Sequence, residues 1–534
     1  MRVLLVHPFC PLEEIPSPPL GIGYLAAALE RAHVEVKVLD LVVFPYSKAS
    51  LEKVLMEFHP HIIGATAVTM TFNDAIRVIT DAKSISPDIT TVMGGPHISF
   101  CAEETMREYP ALDLAVIGEG DETVVELTDA LESEADLSRI RGIGYREGTN
   151  IHFTEARPPS IDVNTLPFPA RHLLPLSRYR ALGAPITMTT SRGCPFQCIF
   201  CVGRKMVGAK VRYRNAQSVV DEFQYLSTLG FRQINVVDDL FTADKKNCIA
   251  ICDEIIARDI KVKWTSFARA DTVSRDLLKR MKQAGCYAIA FGFESANPDI
   301  LKTVRKGITA EQMTEAVRMC VEADIIPHGS FILGLPGETP QTMKQTIDFE
   351  HYLDDMGALV GSHFLAPFPG TRVREHSDAY GIRILTNDWP RYTANRAIIE
   401  TPTVTKEMFD VHAMEFDEGV LEKIRGIEDH IKQNIATDEE RDHYALLERM
   451  GFFYRLMMNE VIEKHGAWLN GPSKASTDDV IRTMAQRAAE PSETRQEKVV
   501  ELLRYALDQK FLEYHEAQGQ VKWEWVDELR RFEI

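Results

Sequence analysis

The chain has no apolar run long enough to cross a bilayer. It also lacks a basic excess: the formal net charge of −18 disfavours nucleic acid as a main partner, because a phosphate backbone calls for a basic footprint. Cysteine is sparse, nine residues in 534, which suits a reduced chain better than a disulfide framework. No G-x-G-x-x-G follows a predicted strand, which argues against NAD. Internal repeats and low-complexity tracts are absent as well. Met1–His7 runs directly into an apolar strand with no charged leader, so a cytoplasmic location is the expectation. What remains is a globular chain with 45% hydrophobic residues, long enough for two or three domains with sizeable cores.

Three of the cysteines stand close together, in Arg192-Gly193-Cys194-Pro195-Phe196-Gln197-Cys198-Ile199-Phe200-Cys201. Thiols spaced C-x₃-C-x₂-C can ligate three corners of one cubane iron–sulfur cluster and leave the fourth iron without a protein ligand. A zinc site would want four closed ligands, commonly from C-x₂-C pairs, and no second pair is nearby. A disulfide with a spare thiol is the other alternative. Cys248 and Cys252 also form a C-x₃-C, but on a predicted helix, where core thiols are the simpler reading; Cys10, Cys101, Cys286 and Cys320 are scattered.

Downstream, strand candidates recur at Ile186–Ser191, Ile234–Val237, Lys263–Phe267, Ala288–Phe293, Ser330–Leu333 and Val360–Leu365. Amphipathic helices lie at Ser218–Leu226 and near 243–258, 274–284, 309–323 and 340–354. Strands alternating with such helices predict a partial (βα)₆ barrel with chemistry at the strand C-termini. The cysteine loop follows the first strand. Upstream, strands at Val3–His7, Val36–Leu41, Ile62–Val68, Thr91–Gly95 and Leu114–Gly118, with a helix at Leu20–Arg31, predict a Rossmann-like doubly wound α/β domain whose ligand site lies at the strand carboxyl ends.

With Phe200 as the aromatic, the cysteine loop resembles the signature of the radical S-adenosylmethionine (SAM) enzymes. The resemblance implies a 4Fe-4S cluster on Cys194, Cys198 and Cys201, with SAM chelated by the open iron and cleaved reductively to a 5′-deoxyadenosyl radical. It also implies SAM contacts from Phe200, Asp239, Arg269, Glu294, Ser330 and Gly334. Phe200 belongs to the cysteine loop; the others sit at strand ends, Arg269 after the third strand and the rest in Asp238-Asp239, Gly292–Ser295 and Ser330–Thr339. Ser330 stands where many members carry glycine. For Asp238, Asp239, Arg269 and Glu294 the alternative is a structural salt bridge. Ala366–Thr371 closes the sixth unit as in this family.

The N-terminal domain resembles the cobalamin-binding domain fused before many of these enzymes, through Pro18-Pro19-Leu20-Gly21, Gly94-Gly95-Pro96-His97 and Gly118-Glu119-Gly120. The implied cobalamin contacts are Pro19, Leu20, Gly21, Thr66, Thr69, Gly94, Gly95, His97, Gly118, Glu119 and Gly120. The D-x-H-x-x-G motif of methionine synthase is missing, so His97 is read as a loop-packing or corrin-edge residue and not as a cobalt ligand. A degenerate Rossmann module that binds nothing is the alternative for the whole domain. The resemblance covers about residues 1–375.

The expected layout is a cobalamin-binding domain (1–135), a hairpin and Pro-rich linker (136–180), a radical SAM barrel (181–390) and a mainly helical C-terminal region (391–534). The hairpin spans Gly142–Phe153, and the tail carries helices near Leu446–Val461 and Val499–Leu512. In the relatives such a tail often covers the barrel mouth. The basic run Arg204–Arg214 is read either as screening the cluster or substrate charge or as a solvated surface.

The expected activity is methyl transfer from SAM, by way of cobalamin, to an unactivated carbon of a small molecule. A flavodoxin- or ferredoxin-like protein would supply electrons. A non-methylating oxidative cyclase with the same cofactors, resembling the anaerobic porphyrin cyclase, is the alternative within the family; a cofactor-retaining sensor is the alternative outside enzymology.

Overall fold

In the computed structural model, residues 1–10, 16–159, 162–470 and 476–526 are described. Parts of the expected linker (160–161) and of the C-terminal region (471–475 and 527–534) lie outside the described residues. Strands β1 (Arg2–His7), β2 (Glu35–Asp40), β3 (Ile62–Thr66), β4 (Thr90–Gly94) and β5 (Leu114–Val116) pair in parallel in the order 2-1-3-4-5. The centres of β1, β3 and β5 are apolar and buried because both faces of the sheet are covered there, whereas the edge strand β2 carries Glu35 and Lys37. Leu4, Val6 and Ile63 pack on Phe72 and Ile79, while Val3 and Leu5 pack on Ile22, Leu29 and Leu127.

The hairpin expected in the linker, β6 (Ile143–Glu147) and β7 (Asn150–Phe153), instead extends this sheet antiparallel from β5. An uncovered β5 edge would expose a row of backbone donors and acceptors, and the hairpin occupies them. The linker's other half docks on the barrel through Arg171, which is 1% exposed. Its guanidinium donates to the Thr187 carbonyl at 2.7 Å and to Glu222 at 2.9 Å, and Arg214 donates to the same carboxylate at 2.6 Å.

Six parallel strands form the barrel wall in sequence order: Ile186–Met188, Ile234–Val236, Trp264–Ala268, Cys286–Glu294, Ile326–Leu333 and Leu359–Phe364. Trp264, Ile289, Phe291, Phe293 and Phe331 turn outward and pack against the helices with Phe223, Leu278 and Val317. Several helix starts are fixed locally; Thr309 and Thr339, for example, each close a capping box. The fifth strand starts at Ile326, four residues before the expected Ser330. Pro327 hides that start from a propensity reading, since proline is tolerated at a strand's beginning but seldom inside it. Cys248, Cys252, Cys286 and Cys320 are core thiols.

The expected placement of the C-terminal region over the barrel mouth needs correction. Only its first part lies at the strand C-termini, with Ile399, Val404, Phe409 and Ala413 packing on Leu333, Leu335 and Phe364. Beyond Thr437, Phe452, Phe453, Leu456, Met484, Leu503 and Trp523 pack on Tyr179, Leu182 and Ala184, just before the first barrel strand, and on Val42 and Val43 after β2. This part also holds an unanticipated antiparallel sheet, with Gln520–Trp525 between Ala467–Leu469 and Leu512–Ala517. The reason is apolar surface to cover at that end, anchored by Arg178, whose guanidinium lies over the rings of Phe44 and Trp525 and pairs with Glu463 at 2.5 Å. No helix among the described residues is long and apolar enough to cross a membrane.

Candidate active site

The first and second barrel strands end in a polar knot that launches the cysteine loop. Asp238 is buried and accepts hydrogen bonds from the Thr190 amide (2.6 Å), the Thr190 hydroxyl (2.5 Å) and the Ser191 hydroxyl (2.8 Å). Burial pushes its pKa upward while these donors oppose the shift. Asp238 is therefore a structural residue. Ser191–Arg192 then pairs with Arg212–Tyr213, closing the loop as a ribbon. Gly193 sits at φ +120°, and a Cβ there would lie 2.4 Å from the Lys210 carbonyl oxygen, so the turn requires glycine.

Inside the ribbon, Cys194, Cys198 and Cys201 line one cavity of about 340 Å³ together with Phe196, Arg204 and Arg305. Burial pushes the Cys201 thiol up to about 11 and the Cys198 thiol above its ordinary value, with Lys306 and Arg269 pulling the latter down. Thiolates there need a positive centre to stabilise them. Three convergent thiols beside cations fit an iron–sulfur cluster with one iron free of protein ligands.

The residues expected around SAM divide into two groups. Arg269 and Glu294 come together through Lys306, which the sequence reading missed. Arg269 donates to the Lys306 carbonyl at 2.7 Å, pairs with Asp271 at 3.0 Å, and stacks 3.6 Å over Phe196 of the cysteine loop. Lys306 Nζ donates to Glu294 at 2.7 Å. Glu294 adopts φ +70°, where the register of its strand shifts. Ser330 lies on the inner wall between Gly292 and Gly361. Asp239 accepts from the Gly193 amide at 3.4 Å, at the root of the cysteine loop.

Phe200 and Gly334 stand apart from this cluster. Phe200 packs against Ile199, Leu333 and Val373 and anchors the loop. Gly334 has φ +91°, donates its amide to Glu338, and faces Ile399 and Phe409. Glu338 is buried, and its carboxyl is pushed up to about 7.

A second, apolar cavity of about 250 Å³ opens at the carboxyl ends of β1, β3, β4 and β5. Gly21, Thr66, Gly94, Gly95, Gly118 and Gly120 line it, with Tyr24, Leu25 and Arg192, which were not anticipated. A Cβ on Gly21 or Gly118 would meet nothing, so these turns leave room for a ligand; one on Gly95 would lie 2.6 Å from Thr66 Oγ1. An apolar cavity rimmed by glycine turns fits the entry of a bulky organic cofactor at strand ends. Pro19 caps the helix Leu20–Arg31 and Leu20 begins it.

The other three residues grouped here by sequence point elsewhere. His97 is 2% exposed, its ring 4.4 Å from that of Phe72 and 5.0 Å from that of Trp389, with Nδ1 3.4 Å from Thr69 Oγ1. Burial, helped by Arg374, lowers its pKa to about 4, so the imidazole is neutral. Glu119 accepts from Arg212 at 2.7 and 2.9 Å and from Arg192 at 3.4 Å. Arg192 also grips Asp121 at 2.6 and 3.1 Å.

These contacts hold the glycine-lined strand ends against the cysteine loop. Arg192 and Arg212 are paired across the ribbon at the loop's base, and Tyr24 meets Thr189 at 3.1 Å. On the far side of the barrel, Phe100 abuts Gly370 and His97 abuts Trp389. The N-terminal domain thus bridges both edges of the mouth. The basic run also proves internally engaged: Lys205 pairs with Glu375, Arg212 with Glu119 and Arg214 with Glu222. Lys306, Arg192 and Asp121 carried no spacing signal; their roles come from neighbours distant in sequence.

Residues 15–128 match the B12 binding domain and residues 188–349 the radical SAM superfamily. An uncharacterized methyltransferase of Pyrococcus horikoshii, PH0819, is 36% identical over 417 residues, 76% of this chain and 89% of the relative. The anaerobic magnesium-protoporphyrin IX monomethyl ester cyclase of Cereibacter sphaeroides is 33% identical over 362 residues, 65% of this chain and 59% of that protein. Among solved structures, the cobalamin-dependent SAM radical enzyme OxsB, with aqua-cobalamin and SAM bound, superposes with a TM-score of 0.66 at 20% identity, covering 95% of this chain and 80% of that one, which shows a shared fold.

Proposed function

The chain belongs to the radical SAM enzymes that carry an N-terminal cobalamin-binding domain, and from that premise we propose that it transfers a methyl group to an unactivated carbon of a small-molecule substrate. Its cofactors are a 4Fe-4S cluster, SAM and cobalamin. When bound, they supply the hydrogen-abstracting radical and the methyl group. Cys194, Cys198 and Cys201 hold the cluster; Arg269, Glu294 and Lys306 form the polar wall beside it, and the glycine turns after β1, β3, β4 and β5 hold cobalamin. Residues 1–135, 181–390 and 391–534 divide the work as cobalamin domain, barrel and supporting region, with 136–180 joining the first two. His97, neutral and boxed between aromatic rings, takes a packing role.

One observation carries this reading: Arg192 lines the N-terminal cavity and stands two residues before the first cluster cysteine, so both sites share a wall. A methyl donor and a radical source must reach the same carbon, and a shared wall supports that arrangement. The protein works in the cytoplasm with a flavodoxin- or ferredoxin-like electron donor and no nucleic acid partner. The second reading, oxidative cyclisation, is favoured by the cyclases among its relatives.

SAM with a deuterated methyl group decides between them. A methylase leaves the deuterated methyl on the product, with S-adenosylhomocysteine and 5′-deoxyadenosine both formed. A product without label, with 5′-deoxyadenosine alone, overturns the methylase reading.

A further inference from the structure

A complete eight-stranded barrel fills its interior with layers of side chains; this six-stranded wall leaves its interior open. The register aligns Phe267 with Ala290, Ala290 with His328, and His328 with Leu359. Trp264, Ile289, Phe291 and Phe331, on the alternate positions, pack outward against the helices, so this row faces inward. The next row toward the strand C-termini is Gly292, Ser330 and Gly361, and the row before it ends on Ile326.

Inside the barrel, Phe267 remains 47% exposed, Ile326 43% and Leu359 53%. Large apolar side chains left open together mark a binding surface. The small residues Ala290, Gly292 and Gly361 add space in front of them. No inward-facing strand residue from Asn235 to His363 is an acid, a lysine or an arginine until Glu294 ends the fourth strand. The Asn235 amide oxygen is already taken by the Thr265 hydroxyl at 2.9 Å. That leaves His328 as the polar side chain in the middle row, with a pKa lowered by the surrounding protein, so that its imidazole is neutral.

We propose that Phe267, His328 and Leu359 form the substrate-recognition wall, and that the substrate is an uncharged, largely apolar molecule with one hydrogen-bonding group addressed by His328. This rests on the reading that a small molecule reacts at the barrel. A charged group laid on the middle row would lose its hydration with no counter-charge in return, since Lys306, one row above, is already paired with Glu294. The wall is also continuous with the reaction centre. One row above lie Gly292 and Ser330, and a Cβ on Gly292 would be 2.9 Å from Lys306 Nζ, beside the cluster loop. A molecule resting on the Phe267–Leu359 row therefore places its near end by the cluster and its far end toward the strand starts.

The test titrates the full chain, loaded with cluster and cobalamin so that the N-terminal cavity is filled, with 1-naphthol, naphthalene and 1-naphthoate. Wild type is expected to bind 1-naphthol about tenfold or more tighter than 1-naphthoate. In Leu359→Lys that preference shrinks to near parity, and in His328→Phe 1-naphthol binds no better than naphthalene. Iron and cobalamin contents equal to wild type show that the variants fold; if Leu359→Lys loses them, His328→Phe decides. Equal or tighter binding of 1-naphthoate by wild type overturns the proposal, as does a preference unmoved in both variants or no binding of any probe. Because no turnover is needed, failure here leaves the deuterated-methyl result intact, and an unlabelled product leaves this one readable.

Discussion

The two parallel sheets of this chain are built from the same strand–helix repeat but are covered differently. In the N-terminal domain helices bury both faces, Leu4 and Ile63 on one side and Val3 and Leu5 on the other, so function is confined to the strand ends. In the barrel only the outer face is buried, and the inner face keeps Phe267 and Leu359 half exposed. A fully covered sheet can present only loops to a ligand; a half-covered one presents side chains along its whole width. The glycine turns of the first sheet and the open inner rows of the second are the respective consequences.

The largest expected effect removes the feature that only the barrel has. Cys198→Ala leaves an iron without its thiolate, so anaerobic reconstitution should give a depleted cluster and 5′-deoxyadenosine formation at background; full iron with normal SAM cleavage would break the assignment. The two faces of the barrel sheet can then be set against each other. Phe291→Ala, on the covered face at 1% exposure, should cost about 3–5 kcal/mol of unfolding free energy. Leu359→Ala, on the open face, should cost under about 1 kcal/mol. Equal costs in a denaturant titration would mean that the inner face is covered after all.

Between the sheets, Asp121→Asn loosens the grip of Arg192 without touching a cysteine. Cobalamin and cluster should each still load; if the shared wall couples the sites, cobalamin should tighten SAM binding in wild type and do so about tenfold less in the variant, a coupling of ordinary size. SAM affinity that responds to cobalamin as in wild type would show that the shared wall carries no coupling.

The last comparison concerns the covered face, which holds a buried carboxyl. Glu350 is buried, bonded to the Ser362 hydroxyl, and pushed up to about 7 by burial. Its folded state keeps a proton that the unfolded chain releases from about pH 4.5 upward, so stability should fall as pH rises from about 4.5 to 7 and then level off. Glu350→Gln should flatten that slope and gain about 1–3 kcal/mol at pH 8. A wild-type slope left unchanged by the substitution would assign the titration to another group, with Glu338 the next to replace.

Strand and helix positions were legible because their determinants are local. Leu20–Arg31 begins and ends where the prolines and the apolar period place it, and most barrel strands lie within a few residues of the alternation that predicted them. Ile326–Pro327 was missed because proline interrupts the β-favouring run, while pairing with Ala288 and Ile289 of the preceding strand carries the strand back to Ile326. The grouping of Gly21, Thr66, Gly94, Gly95, Gly118 and Gly120 around one cavity follows from their place after successive parallel strands. Glu119 stands among them in sequence, but Arg212 draws its side chain to the barrel.

By itself the sequence determined the three clustered thiols, the glycine turns and the two runs of strand–helix units, because thiolate spacing, backbone permissiveness and hydrophobic period act over a few residues. Tertiary structure alone decided that Lys306 joins Arg269 to Glu294, that Arg192 meets Asp121 across 71 positions, and that residues beyond Thr437 pack near the starts of the first barrel strands instead of over the mouth. Ion-pair partners and the covering of apolar faces depend on which surfaces approach one another. That choice is made by the packing of the whole chain and leaves no local mark at either residue.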